Sequence, residues 1–380
     1  MVIERNEMSI YLENVWYAAA FSDEVGEKPL ARKLLDQDLM IYRDSAGRPI
    51  LLQDRCPHRF APLSLGKTVG DEIECPYHGL RFDRTGACSH NPHMKGGGPL
   101  RAAAVRAYPV MEKYGILWFW PGDPGFADEA ILPKVKFLEE TDRYRLVKGL
   151  LHVEGNYQLV IDNLLDLSHA QFIHPGFAIK GVDAEQALAA TTTRLERQER
   201  SILNYRLRTG LPAPAAARRL FGVGEDVLVN AKTHMTWYPP AMIDFDAGTW
   251  EMDTPEEEGA LIPQLHFITP ETELSCHYFF VNGRNQRTED KDVDDALLEM
   301  FDQAFRREDE PIIEAVQRRM GPVTDIHHLN PVLLQTDAAP ISARRLLAKL
   351  IEQEKQPARS KPSPEESTTH FSSAAVPADG

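Results

Sequence analysis

Cysteine is scarce, at four residues in 380. That is too few to staple a chain of this length with disulfides, and it points to free intracellular thiols or metal ligands. No apolar run approaches the roughly 18 residues of a membrane-spanning helix; the longest surrounds Gly115 to Trp120. The opening MVIERNEMSI is charged and has no apolar core of the kind a secretory signal carries. A soluble, cytoplasmic protein is expected. Basic charge is also short, because 42 Lys and Arg face 57 Asp and Glu, a formal net charge of -15. Such a balance repels nucleic-acid phosphate and argues against a general nucleic-acid-binding role. With 43% hydrophobic and 26% charged residues, the chain is neither collagenous nor disordered as a whole. It is long enough for two domains with real cores.

The charge is uneven. Leu51 to Arg101 holds seven basic residues against five acids, whereas Glu251 to Glu299 holds thirteen acids against three bases. Residues 10 to about 145 read as short β segments (VWYAAAF, DLMIYR, PILLQD, GILWFW) broken by Gly, Pro and Asp turns. From 156 to 171 apolar residues recur at helical spacing. Longer β runs follow (SILNYRLR, VLVNAKTHMTWY, LIPQLHFIT, LSCHYFFV), then a helical stretch from about Asp292 to Met320 in which Pro311 marks a break or restart. The end, from about Gln353 to Gly380, is Pro, Ser, Glu and Ala rich without periodicity, and reads as a disordered tail. No internal repeat is visible.

Two short pairs carry the first signal. Cys56-Pro57-His58 is followed, after sixteen residues, by Cys75-Pro76-Tyr77-His78. Each pair puts a thiol and an imidazole on one tight turn. Two Cys and two His can close a tetrahedral zinc site; they can also hold a Rieske [2Fe-2S] cluster, with the thiolates on one iron and the imidazoles on the other. The β-like flanks and the C-x-H and C-x-x-H spacings favour the cluster. Cys88 and Cys276 have no such companions and read as buried structural residues.

The stretches CPHRFAPLSLG, CPYHGLRFD and GACSHNPH strongly resemble the Rieske domain of the non-haem iron aromatic oxygenases. A second constellation, Asn163-x-x-Asp166-x-x-His169-x-x-x-x-His174-Pro175, fits the same family. Asn163, Asp166 and His169 are three apart and share a helix face. His174 lies about 140° further round an ideal helix than His169, so both reach one metal only if the helix distorts or ends. Two imidazoles and a carboxylate leave positions open for oxygen and substrate, the facial arrangement of mononuclear Fe(II) oxygenases. On the residues alone the carboxylate is open among Asp302, Glu308, Asp309 and Glu314. The resemblance of the Asn163 to His174 pattern to the family's catalytic domain implies that His169 and His174 are iron ligands and that Asp166, with Asn163 beside it, is the link to the cluster; the resemblance of RREDEPIIEAVQRR to the family segment selects Asp309.

The resemblance, which covers nearly all of the chain before the tail, implies an α+β protein. An all-β Rieske domain (10–145) would precede a catalytic domain (146–350) of antiparallel sheet and covering helices, the helix-grip type, with the tail from 353 to 380. It implies a terminal oxygenase component of a multicomponent monooxygenase, using O2 and electrons from NAD(P)H passed by a flavin-dependent reductase and a ferredoxin. A head-to-tail homotrimer would carry electrons from His78 through Asp166 to His169 of a neighbour. The basic island would dock the acidic ferredoxin. Within the family the chain resembles the dicamba and vanillate O-demethylase branch, which implies oxidative N- or O-dealkylation of an aryl amide or ether, ring hydroxylation or dihydroxylation being the alternative. LHFITPETELSCHYFF places His266 on a substrate-pocket histidine of that branch. AMIDF puts Asp244 where the branch has Asn, and Met300 falls where it has Trp. An acid at Asp244 would repel a substrate carboxylate, so a neutral substrate of the anilide-herbicide type is favoured. A Rieske-type electron carrier would need only the first constellation, and a zinc-stabilised binding module only its four ligands.

Overall fold

The computed structural model describes residues 10–177 and 179–356. The N-terminal half is built from three small antiparallel sheets, and every β segment expected there is a strand. Strands Leu30–Leu34, Gln37–Arg43, Pro49–Gln53 and Ala107–Tyr108 form one sheet; Tyr17–Phe21, Ile116–Phe119 and Val110–Lys113 form another. The third, Lys67–Val69, Glu72–Glu74, Arg81–Phe82 and Cys88–His90, carries the Cys75 loop. These strands are short because Gly and Pro punctuate them, so the core beneath is small: Met40, Leu52, Leu63, Ile73 and Phe82 pack with Cys56, Cys75 and Cys88.

The C-terminal half is one eight-stranded antiparallel sheet. Along its main path the order is Arg145–Val153, Ser275–Arg284, Gln264–Thr272, Met242–Glu251, Leu228–Tyr238, Ile202–Pro212 and Thr191–Arg197, with the short Ala260–Leu261 paired to Met242–Glu251. Side chains alternate across a strand, so one face receives Ile243, Ile268, Tyr278 and Phe280, which pack with the helix Tyr157–Leu165 and with Phe305 and Ile313. The chain is therefore α+β, with helices covering an antiparallel sheet.

One expectation is borne out and one is corrected. Of the break or restart expected at Pro311 in the helical stretch near 292–320, the restart is what the structure has. The stretch runs from Lys291 to Met320, widened to a π-helix over Asp302–Asp309, and Pro311 sits in the first turn of the α-helix that resumes at Glu310. A proline there needs no amide hydrogen, so the helix restarts without interruption. The last helix, Ala338–Lys355, enters the stretch expected to be unstructured from Gln353; residues 357–380 of that stretch lie outside the described residues. The last helix is tied to the core by Arg344, whose guanidinium holds Asp162 at 2.6–2.9 Å and Gln158 at 2.9 Å. Among the described residues no helix is long and apolar enough to cross a membrane.

Candidate metal centres and substrate cavity

The two Cys-His loops share one geometry. Cys56 N donates to Ala61 O and Phe60 N to Cys56 O; Cys75 N donates to Leu80 O and Gly79 N to Cys75 O, all within 2.8–3.0 Å. Each turn closes through a left-handed residue, Gly79 at φ +70° and Phe60 at φ +60°. Glycine takes that conformation freely, whereas a phenylalanine needs support; the Arg55 guanidinium lies 4.0 Å over its ring. Cys56 and Cys75 are buried while His58 is exposed and His78 half-buried, with the imidazole centroids 4.4 Å apart. Burial pushes the Cys56 thiol up to about 11, and the Cys75 thiol facing it adds to the rise. Thiols thus meet inside and imidazoles outside. Among the described residues, the only group of three or more His, Cys, Asp or Glu ligand atoms mutually within 4.8 Å lies elsewhere. The four residues therefore do not close around a single zinc ion, but suit a two-iron cluster with a buried thiolate iron and an outward imidazole iron.

That other group is His169, His174 and Asp309. Asp309 Oδ1 is 3.4 Å from His169 Nε2, and its Oδ2 is 3.4 Å from His174 Nε2. The helix ends sooner than the residue spacing implied. Asp166 is extended at φ −120°, so Asn163 and His169 do not share one continuous helix face. A 3₁₀ turn at Leu167–His169 and a short helix at Ala170–Ile173 follow, and His174 is again non-helical. Two breaks in ten residues turn both imidazoles towards one point. The π segment does the same from the other side: Asp309 faces both Nε2 atoms while its neighbour Glu308 holds His174 Nδ1 at 2.7 Å. His169 Nδ1 bonds the Asp166 carbonyl at 2.7 Å. With both Nδ1 atoms directed at acceptors, each Nε2 presents a lone pair inward, as metal ligation requires. Asn163 Nδ2 donates to Asp309 Oδ1 at 2.9 Å and so orients the carboxylate.

Residue 166 thus touches His169 through its peptide carbonyl. Its carboxylate accepts from Ser168 N at 2.9 Å and Ser168 Oγ at 3.0 Å, which leaves each oxygen one further lone pair.

A cavity of about 280 Å³ runs from this triad between helices and sheet. Phe245, Leu297, Phe301 and Phe305 give it apolar walls, and Met300 and His266 line it. His266 is 2% exposed. Its Nδ1 is 2.8 Å from Tyr278 Oη, while Nε2 has no hydrogen-bond partner. Burial lowers its pKa to about 3, so the ring is neutral. Asp244 does not line the cavity. Phe245 packs on His266 with ring centroids 4.8 Å apart, and alternation along the strand turns Asp244 to the opposite face. There burial, with Asp246 adding, pushes its carboxyl up to about 7. The reason given for a neutral substrate, an acid in the pocket, is thereby removed. Glu308 as the holder of His174, Asn282, and the cavity-lining Arg206 and Arg208 were not anticipated as site residues. The alternation in NYRLR was the available signal for the arginines.

A fold whose surface loops pair two thiols with two imidazoles, and whose second half gathers two histidines and a carboxylate at a cavity, defines a two-centre iron oxygenase. Residues 15–109 match the Rieske [2Fe-2S] domain, and residues 153–353 match the vanillate O-demethylase oxygenase C-terminal domain. The chain belongs to the Rieske oxygenases that carry this C-terminal domain, and is an enzyme with a [2Fe-2S] cluster and a mononuclear non-haem iron. It is 38% identical over 349 residues to the oxygenase component of dicamba O-demethylase from Stenotrophomonas maltophilia, covering 90% of this chain and 98% of that one. It is 36% identical over 352 residues to the oxygenase component of chloroacetanilide N-alkylformylase from Rhizorhabdus wittichii, covering 92% and 98%. A crystal structure of dicamba monooxygenase bound to dicamba superposes with a TM-score of 0.82 at 35% identity over 90% of this chain and 98% of that one. The electron-carrier and zinc-module alternatives are set aside.

Proposed function

We propose that the chain is the terminal oxygenase of a dealkylating system in which Cys56, His58, Cys75 and His78 hold the cluster and His169, His174 and Asp309 the mononuclear iron. The observation that carries this reading is the continuity of the triad with an apolar cavity sized for one aromatic ring. The bound metals would supply single electrons and oxygen activation. The chain's own groups do the rest: Asn163 fixes Asp309, Glu308 and the Asp166 carbonyl fix the two imidazoles, and the apolar walls exclude water. In the overall reaction an N- or O-alkyl C–H becomes C–OH, consuming O2, two electrons and two protons and releasing water. The carbon–heteroatom bond then breaks to give an aldehyde and the dealkylated product.

Electrons would come from NAD(P)H by way of a flavin-dependent reductase and a ferredoxin, which docks on the basic island. A homotrimer would bring His78 of one copy to the Asp166 carboxylate of the next. Two surface features support this assembly. Phe60, Leu65 and Tyr77 are 62%, 73% and 59% exposed around the cluster, and Phe172, between the two iron histidines, is 73% exposed. Large apolar side chains on both surfaces suit burial against another copy. The test is product analysis with a compatible ferredoxin and reductase over a panel of aryl ethers and N-alkyl amides. Stoichiometric formaldehyde, or the matching aldehyde, supports dealkylation; ring-hydroxylated products without aldehyde would overturn it.

A further inference from the structure

Tyr278 holds no metal and fixes no metal ligand, yet it lines the cavity that holds Asp309. It stands on the strand Ser275–Arg284, two residues before Phe280, and His266 is opposite Phe280 on the next strand. Tyr278 and His266 therefore share a face of the sheet as diagonal neighbours. Tyr278 is 0% exposed, and its Oη lies 2.8 Å from His266 Nδ1. The phenol is the donor in this bond. If Nδ1 donated, the phenol hydrogen and the bare Nε2 lone pair would both lack a partner among the described residues; if the phenol donates, only Nε2–H does.

Burial, with the charge of Asp309 adding, pushes the Tyr278 phenol well above its ordinary pKa. Loss of the proton alone is thus closed to it. Loss of a proton together with an electron is open, because an oxidised phenol is a strong acid and a neutral imidazole nitrogen faces it. Aromatic packing joins the pair to the metal-bearing helix. The Tyr278 ring centroid is 4.3 Å from that of Phe305, four residues before Asp309 on the π segment, and Phe301 packs on Tyr278 and His266 at 5.9 and 6.1 Å.

We propose that Tyr278, with His266 as its proton acceptor, is a one-electron donor to the mononuclear site, used when that site is oxidised and no alkyl group is in place to be attacked. Tyr278 gives one electron to the oxidised site, which is reduced by one, and passes its phenolic proton to Nδ1. The phenol becomes a neutral tyrosyl radical and His266 an imidazolium. One electron from the cluster and the return of the same proton restore both residues; a buried imidazolium is costly, so the proton goes back readily. The pair thereby removes an oxidant that would otherwise attack the cavity walls, where the Met300 thioether is readily oxidised. The step rests on His169, His174 and Asp309 holding the iron, which the iron content of His174→Ala checks by itself.

The test mixes the iron-loaded holoenzyme with hydrogen peroxide, without any aromatic compound, and freezes samples at successive times for paramagnetic resonance. Peroxide brings oxygen already reduced by two electrons and so bypasses the cluster. Wild type is expected to give a tyrosyl signal, identified by its change in protein grown on ring-deuterated tyrosine, and to form it more slowly in D2O. Tyr278→Phe removes only a hydroxyl; it should lose the signal and raise the oxidation of Met300 read by peptide mass spectrometry. His266→Phe keeps the phenol but not its acceptor, and should slow the signal about 100-fold. Cluster absorbance and iron content show that the variants are folded and loaded. No tyrosyl signal in wild type, an equal signal in Tyr278→Phe or in iron-free protein, or a rate indifferent both to D2O and to His266→Phe would overturn the proposal.

Discussion

Glu308 gives a sharp test of how the mononuclear site is held. Its Oε2 lies 2.7 Å from His174 Nδ1, and its Oε1 accepts from Gln303 Nε2 at 2.8 Å. The His174 and Glu308 side chains are 6% and 15% exposed, so the contact is a short, charge-assisted bond screened little by water. It fixes the imidazole tautomer that turns the Nε2 lone pair towards Asp309 and raises the basicity of that nitrogen. Removing such an outer partner costs about 10–100-fold in metal affinity, or about 1.4–2.7 kcal/mol. Glu308→Ala should fall in the upper part of that range because no water-rich surface replaces the acceptor. Glu308→Gln keeps a neutral acceptor and should lose less than about tenfold. The assay is anaerobic competition for Fe(II) with a chromogenic chelator, with the cluster absorbance reporting that the N-terminal half is intact. His174→Ala serves as the positive control. If Glu308→Ala binds Fe(II) within about threefold of wild type while His174→Ala does not, the reasoning that Glu308 tunes the ligand is wrong.

Three further outcomes are expected. Asp166→Asn should keep the His169 contact, which uses the main chain, and retain both metals, yet nearly abolish turnover if the carboxylate meets the neighbouring His78 as in the proposed trimer; wild-type-like turnover would remove the carboxylate from the proposed electron path. Arg344→Met strands Asp162, and denaturant unfolding should report a loss of about 3–5 kcal/mol, most of it recovered by Arg344→Met with Asp162→Leu. His266 titrates near 6.5 when unfolded but near 3 when folded, so protons favour unfolding. Stability from this group is full above about pH 6.5 and falls by about 1.4 kcal/mol per pH unit below it; His266→Phe should flatten that part of the stability profile, and an unchanged slope would count against its burial as a neutral ring.

The cluster loops were legible because their chemistry is local. Each pair needs only a thiol, an imidazole and a turn within three or four residues, and Gly79 advertises its left-handed bend. Phe60 does not, since its support comes from the ring contact with Arg55. The mononuclear centre was legible in its residue types and hidden in its backbone. Periodicity extends a helix through Asp166, yet the Asp166 side chain caps the next turn by accepting from Ser168 N, and that local bond competes with helix continuation. The π segment has no sequence signature that separates it from the flanking α-helix, and it sets which of four nearby acids faces both Nε2 atoms and which holds His174 from behind.

The substrate face shows what a resemblance can and cannot transfer. Matching AMIDF to a pocket position placed Asp244 beside the substrate and led to a neutral ligand. Strand parity gives another answer. Ile243 is the residue opposite His266 in the ladder, residues opposite one another share a face, and Asp244 must therefore point away from whatever His266 faces. The same rule applied to Asn204, Arg206 and Arg208 turns all three to the face whose Asn204 meets the helix Tyr157–Leu165. Correcting one residue of parity thus removes an acid from the cavity and adds two arginines to its lining. The ground for a neutral substrate falls through geometry alone, without any change in the family to which the chain belongs.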